Sequence, residues 1–255
     1  MPVEKGDFVL LDYIAMVEEG EGEFKVFDTT IREEGEKAGL DISRYGPVLV
    51  IVGKNEGIVL PPVEEQLVGL EAGEWKTIEL PPEKAFGKRD PSKIFTISAR
   101  ELSRQGVVAR VGEQVEFVDK SGRRQRGRVI FVGGGRVIID TNHPYAGRKV
   151  VYKVRVVRIL KTLEERVGGL VERWLGTTEG IEYSVADGKA TIVLPREMLL
   201  ARNIGPSIAG LARDIERYLP EVKGLDVVFR FEFERKEEAK EGTPQQEKGE
   251  APEGS

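Results

Sequence analysis

Cysteine is absent from this chain of 255 residues, so it can form neither a disulfide nor a thiolate metal site. Histidine is nearly absent too. His143 stands alone, which removes a zinc site and a serine–histidine triad from consideration. No stretch of about 18 apolar residues occurs, and the first residues, Met-Pro-Val-Glu-Lys-Gly-Asp, contain no apolar signal core. The expectation is a cytosolic protein with no membrane partner. A large positive excess is missing as well: the formal net charge of −5 gives no reason to expect a nucleic-acid binder as a whole. Asparagine occurs only at positions 55, 142 and 203 amid abundant Glu, Lys, Arg and Val, a composition that hints at a hot-growing source. What is present suffices for folded domains. Hydrophobic residues make up 40% and charged residues 33%, over a length that fits one large domain or two to three small ones.

The first part of the chain alternates strand patterns with turns. Residues 7–17 read as a strand, Glu18 to Glu23 as a turn, and Phe24 to Phe27 as a second strand ending at Asp28-Thr-Thr. Residues 32–46, polar and broken by glycine, read as a loop. Val48 to Val52 is a buried strand. Pro61 and Pro62 then open a helix, since proline's fixed φ and missing N–H suit a first turn. Val63, Leu67 and Leu70 form its apolar face, with Glu64, Glu65 and Gln66 on the other side. Trp75 to Leu80 is a strand, residues 81–87 a loop, and Val150 to Ile159 a strand able to pair back with the first ones.

Between Gly87 and Asn142 the pattern changes to short strands at Ile94–Ile97, Gln114–Val118, Arg126–Val132 and Arg136–Asp140. Turns at Lys120-Ser-Gly-Arg and Gly133-Gly-Gly135 join them, and no strand–loop–helix context supports a phosphate loop at the glycines. This is a small all-β module inserted into a loop of the first domain. From Thr162 a third region begins. Thr162-x-x-Glu165 is a capping box ahead of Leu163, Val167, Leu170, Val171 and Trp174, with a stop at Gly176. Asp187-Gly188 joins two strands as a hairpin. Pro206 opens a second helix, and Leu225 to Phe233 alternates as a strand. The expectation is two helices on a small antiparallel sheet. Residues 236–255 have nothing to bury and are expected to be disordered.

Five pieces in order then carry a resemblance: Leu11-Asp-Tyr13, Phe27-Asp28, Val59-Leu60-Pro-Pro-Val63-Glu-Glu, Pro82-Glu-Lys-Ala-Phe-Gly87 and Asn142-His-Pro-Tyr-Ala-Gly147. Over roughly residues 1–161 the chain resembles the FKBP-type peptidyl-prolyl isomerases, in the SlyD-like branch with an inserted flap. Its third region looks like the extra domain of longer archaeal members. The resemblance implies an α+β chain of four parts. These are an isomerase domain of residues 1–87 plus 142–161, a β flap of 88–141, a C-terminal α+β domain of 162–235 and a tail of 236–255. In that family a bent antiparallel sheet wraps a short helix and leaves a ring-lined pocket. Carried over, the catalytic set is Tyr13, Asp28, Phe86 and Tyr152. The substrate-binding set is Phe27, Val48, Val50, Val59, Leu60 and Val63, with the Leu60 N–H anchoring the substrate chain. Two positions depart from the family: Phe86 stands where tyrosine is usual, and Tyr152 where phenylalanine is usual.

The implied reaction is rotation about X–Pro bonds, which needs no cofactor. Amide resonance sets a barrier of roughly 18–20 kcal/mol, and uncatalysed turnover takes tens of seconds or longer. The twisted amide is less charge-separated than the planar one, so a dry apolar pocket favours it. Asp28 either orients the Tyr13 hydroxyl or faces the rotating carbonyl. Taken singly, Tyr13, Phe27 and Phe86 are ordinary core aromatics, Asp28 an ordinary turn cap and His143 a turn stabiliser. The implied partners are unfolded or proline-containing polypeptides, held in part by the flap acting as a chaperone. A homodimer through the C-terminal domain is a further expectation. Two alternatives stand beside this reading. One is a holdase with little isomerase activity. The other is an RNA- or ribosome-associated factor using the basic Lys120–Arg128 hairpin, a segment more ordinarily a solvated face.

Overall fold

A computed structural model describes residues 1–20, 22–42 and 45–233. The segment expected to be a disordered tail, residues 236–255, lies outside the described residues. Along the chain come β1 (Phe8–Gly20), β2 (Glu23–Thr29), α1 (Arg32–Lys37), β3 (Val48–Ile51), α2 (Pro61–Glu65) and β4 (Trp75–Leu80). They are followed by β5 (Ile94–Ser98), α3 (Ala99–Arg104), β6 (Gln114–Val118), β7 (Arg124–Gly133) and β8 (Arg136–Asp140). After these come β9 (Val150–Leu160), α4 (Leu163–Leu175), β10 (Glu182–Ala186), β11 (Lys189–Pro195), α5 (Ile204–Tyr218) and β12 (Gly224–Arg230). Among the described residues no helix is long and apolar enough to cross a membrane.

β1 is the axis of the first sheet. β9 runs antiparallel along one of its edges, with β4 beyond. The other edge is shared, β3 pairing with the first part of β1 and β2 with the second. Because strand side chains alternate, the two faces of this sheet serve two cores. Val9, Leu11, Tyr13, Ala15 and Val17 join Val50, Val63 and Leu67 in one. Phe8, Leu49, Ile51 and Leu160 join Val167, Leu170, Ile192 and Leu211 of the C-terminal region in the other.

Three expectations change here. Residues 32–46 contain α1, a helix too short, and interrupted by Gly35, for periodicity to show. Gly35 lies where a Cβ would strike the Tyr45 ring, so the residue that hides the helix also lets that ring close over it. The Pro61 helix is shorter than its apolar spacing suggests. It ends at Glu65, and the N–H groups of Gln66, Leu67 and Leu70 reach back only three residues, forming tight turns. Val3 pairs with this segment through Gly69 N–H and Leu70 C=O, both at 2.8 Å, which draws it out of helical register. Glu64, expected outward, is 1% exposed because its Oε1 accepts the Asn55 N–H at 2.9 Å.

The inserted module is a four-stranded sheet, β5-β8-β7-β6, but not all-β. Ser98 caps α3 by accepting the Glu101 N–H at 3.2 Å, and Leu102 plugs a separate core with Val115, Phe117, Val129 and Ile139. Ser98-x-x-Glu101 is the helix-start signal that the surrounding strand patterns obscured. The stem is held at residues 87–93 and 140–147. Asn142 bonds both the N–H and the C=O of Asp90 at 2.9 Å, and Arg89 pairs with Asp140 at 2.6 Å.

In the C-terminal region the capping box at Thr162 and Glu165 forms, and Gly176 ends α4 at φ 81°. Asp187 and Gly188 both take positive φ, turning β10 antiparallel onto β11. β12, however, is parallel to β11, which corrects the expected antiparallel sheet. A parallel partner needs a long crossover, and α5 is that crossover. α5 begins at Ile204, two residues ahead of Pro206, and β12 ends at Arg230, leaving Phe231 and Phe233 exposed beyond it. The two helices touch where Gly210 faces Trp174, a spot where any Cβ would collide with the indole.

Candidate functional site

The site begins with an irregularity in β2. Ala15 pairs with Asp28 and Met16 with Val26, so Phe27 is an extra residue with no partner on β1. A bulge of this kind re-aims side chains. In a regular strand Phe27 and Asp28 would point to opposite faces; here both join the group around Tyr13. The two threonines that follow then lock Tyr13 in place. Thr30 Oγ1 accepts the Tyr13 N–H at 2.9 Å, and Thr29 Oγ1 donates to the Tyr13 C=O at 2.8 Å. The turn-capping role open to Asp28 is thus taken by Thr29, whose Oγ1 accepts the Ile31 N–H at 3.0 Å. Asp28 is left to accept the Tyr13 hydroxyl at 2.8 Å.

Around this pair stand rings from four separate segments. Tyr152, on β9, lies 5.9 Å from Tyr13 and 6.4 Å from Phe27 between centroids. Phe86, from the loop before the flap, meets Phe27 edge-on at 5.8 Å. Two further rings close the group: Tyr145 at 4.9 Å from Phe27, and His143 stacked on Phe86 at 4.2 Å. Neither Tyr145 nor His143 is among the residues expected at the site, although both lie in the Asn142–Gly147 motif. Their rings could not be placed by spacing, because the turn that brings them in depends on His143 Nδ1 accepting the Tyr145 N–H at 3.2 Å.

The rings grade from sealed to open. Tyr13 and Tyr152 are 6% and 5% exposed, while Phe27, Phe86 and Tyr145 are half-buried. Val59 lies buried in the same core, and Leu60 and Val48 pack half-buried against it. Val50 and Val63 join the same core at 1% and 0% exposed.

Burial, then the hydrogen bond to Asp28 and its negative charge, hold the Tyr13 phenol well above its ordinary pKa. Burial and the same charge raise Tyr152. Burial lowers His143 from 6.5. The neutral imidazole is therefore the favoured form in the fold. Its contribution is complete above 6.5 and is lost as pH falls through the lower folded value. NMR titration should place the His143 midpoint below 6.5, with the Tyr145 ring signals shifting in step as the Nδ1 acceptor is protonated. A midpoint at or above 6.5 would contradict the geometry.

The group combines phenols, phenyls and aliphatic chains with one carboxylate that accepts a hydroxyl. An apolar ring group with one polar pair, packed on an antiparallel sheet, is chemistry suited to a peptidyl-prolyl isomerase. The chain belongs to the FKBP-type peptidyl-prolyl cis-trans isomerase family. The family model of that description matches residues 1–100, and one described as FKBP26_C-terminal matches residues 163–234. The chain is 31% identical over 166 residues to the short-type peptidyl-prolyl cis-trans isomerase of Methanocaldococcus jannaschii, covering 60% of this chain and 92% of that one. It is 32% identical over 102 residues to the FKBP-type 16 kDa peptidyl-prolyl cis-trans isomerase of Escherichia coli K12, covering 40% and 68%. The SlyD isomerase of Helicobacter pylori J99 shares 25% identity over 139 residues, covering 54% and 72%. The chain is accordingly an enzyme that speeds rotation about X–Pro bonds.

Proposed function

We propose that the substrate proline enters the recess ringed by Phe27, Phe86, Tyr145 and Tyr152, with Tyr13 and Asp28 as its polar corner. The observation that carries this is the 2.8 Å bond from the Tyr13 hydroxyl to Asp28 inside an otherwise apolar ring set. Val59 forms the floor, the Leu60 N–H at the margin takes the substrate backbone, and Val48 flanks it. Val50 and Val63 support that surface from beneath. Desolvation in the recess lowers the barrier by favouring the twisted amide, and no proton moves.

The division of labour follows the three sheets. Residues 1–87 with 142–161 carry the isomerase site, 88–141 form a chaperone flap, and 162–235 extend the body and supply a homodimer contact. The substrates are unfolded or proline-containing polypeptides in the cytoplasm. Support for the flap's role is its exposed apolar surface: Val108, Val111, Ile130 and Phe131 are 75%, 65%, 40% and 48% exposed. Ile130 is itself the extra residue of a bulge between β7 and β8, which turns apolar groups outward.

Aggregation of a proline-free unfolded client separates this activity from isomerisation. The full chain should suppress aggregation, and a Val108→Ser/Phe131→Ser variant should lose most of that effect while still turning over a short proline peptide. No suppression by the parent, or full suppression by the variant, would remove the chaperone reading.

A further inference from the structure

Charge is unevenly placed in this protein. Residues 88–141 hold twelve Lys and Arg against six Asp and Glu, a surplus of six positive charges in a chain whose total is −5. Part of that surplus faces a groove of about 880 Å³ between β6–β7 of the flap and residues 142–148. Arg89, Arg126, Arg128 and Arg148 line it, with Val111 and Ile130 as apolar neighbours.

The cations differ in how far they are engaged. Asp140, the one acid in the lining, is taken by Arg89 at 2.6 Å and by Asn142. Arg148 approaches Glu19 only to 3.8 Å. Arg128 spends its Nε on the Gly112 carbonyl at 2.9 Å, leaving its terminal nitrogens for a ligand. Arg126 makes no ion pair among the described residues, although Glu116 lies directly across the β6–β7 ladder from it. The far wall of the groove includes His143, whose ring stacks on Phe86 at 4.2 Å. His143 thus joins the groove to the ring group at Phe86.

We propose that this groove reads carboxylates: a polypeptide with its proline in the recess lays an acidic stretch against Arg126 and Arg128, so acid-flanked prolines are the favoured substrates. The inference rests on the recess being the proline site. It selects polypeptide over nucleic acid because the groove lining contains no Phe, Tyr or Trp on which bases could stack. One face of His143 is already occupied by Phe86. Val111 and Ile130 suit the aliphatic parts of a peptide.

The test uses the full chain and three peptides of equal length, each with one proline beside a Glu-rich, Gln-rich or Lys-rich stretch. The Gln peptide is the internal reference in every protein. At low salt, kcat/KM for the Glu peptide should exceed that for the Gln peptide about tenfold, what two exposed charge pairs supply together. The Lys peptide should fall below both, and the spread should shrink as salt rises. In Arg126→Gln/Arg128→Gln the Glu-to-Gln ratio should drop to about one, and in Arg126→Glu/Arg128→Glu the Lys peptide should lead. Equal turnover of all three peptides by the parent would overturn the proposal while leaving the recess intact. Turnover of none would overturn the recess reading itself. Displacement of the Glu peptide by single-stranded RNA bound more tightly, with a steeper salt dependence, would also overturn it and assign the groove to nucleic acid.

Discussion

Replacing Arg173 with alanine is expected to destabilise the protein by about 3 kcal/mol, the cost of stranding buried carboxylates without their cation. Arg173 projects from α4 into the seam between the isomerase sheet and the C-terminal helices. It bonds both oxygens of Glu56 at 3.0 Å, the Leu49 carbonyl at 2.8 Å and Asp214 at 3.4 Å. Its side chain and that of Glu56 are 16% and 15% exposed, so solvent can repair little of the loss. Asp214 also accepts the Trp174 Nε1–H at 2.7 Å, and burial followed by a hydrogen bond to Glu56 raises the Tyr218 phenol. Glu56 thus ties α4 and α5 to the loop that leads into Val59 and Leu60. On its other side the same loop is held by Glu64 through the Asn55 N–H. Guanidinium unfolding should show the loss in the parent–variant difference, and amide exchange should quicken from Glu56 to Leu60. Arg173→Lys should recover only part, since an ammonium cannot match the two-pronged geometry. Arg173→Met with Glu56→Gln should cost less than Arg173→Ala, because one stranded charge is removed. Unchanged unfolding and exchange in Arg173→Ala would show that the seam carries no such load.

How much of this was legible in the chain depends on whether the signal was local. β4 matches the Trp75–Leu80 expectation residue for residue, and the Thr162 capping box and the Asp187-Gly188 hairpin form as their motifs dictate. Each is decided by neighbours a few positions apart. The parallel β12 was not legible, because an alternating strand pattern says nothing about the direction of its partner. The bulge at Phe27 was equally hidden. Nothing in Lys-Val-Phe-Asp marks an extra residue, which exists only in the pairing with β1. The ordered motifs picked out Tyr13, Phe27, Asp28, Phe86 and Tyr152, and the fold brings these five together. Tyr145 and His143, not singled out by the motifs, join the same ring group because a turn aims them, and the burial of Val50 and Val63 could be judged only once the sheet was closed.

The second large effect falls on Asp28. Alanine there should lower kcat/KM for a proline peptide by about tenfold or more, because the Tyr13 hydroxyl would lose its acceptor. A buried polar group left unpaired costs about 1–3 kcal/mol, and about 1.4 kcal/mol is already a factor of ten in rate. Tyr13 is 6% exposed, so water does not readily replace the carboxylate. The substitutions around this pair separate the two roles that the chain alone left open. If Asp28 acts by orienting Tyr13, Asp28→Asn keeps an acceptor oxygen and most of the activity. Tyr13→Phe/Asp28→Ala should then be no worse than Asp28→Ala alone, because the two residues act as a unit. If Asp28 instead faces the rotating carbonyl through its charge, Asp28→Asn should lose as much as alanine and the double variant should lose more. The hydrogen bond favours the first outcome. With the Tyr13 and Tyr152 phenols held above their ordinary value of 10, neither ionises below that pH, and the Tyr13–Asp28 bond should persist from neutrality to about 10. Parental activity in Asp28→Ala would mean that the Tyr13–Asp28 pair is not the polar corner of the site.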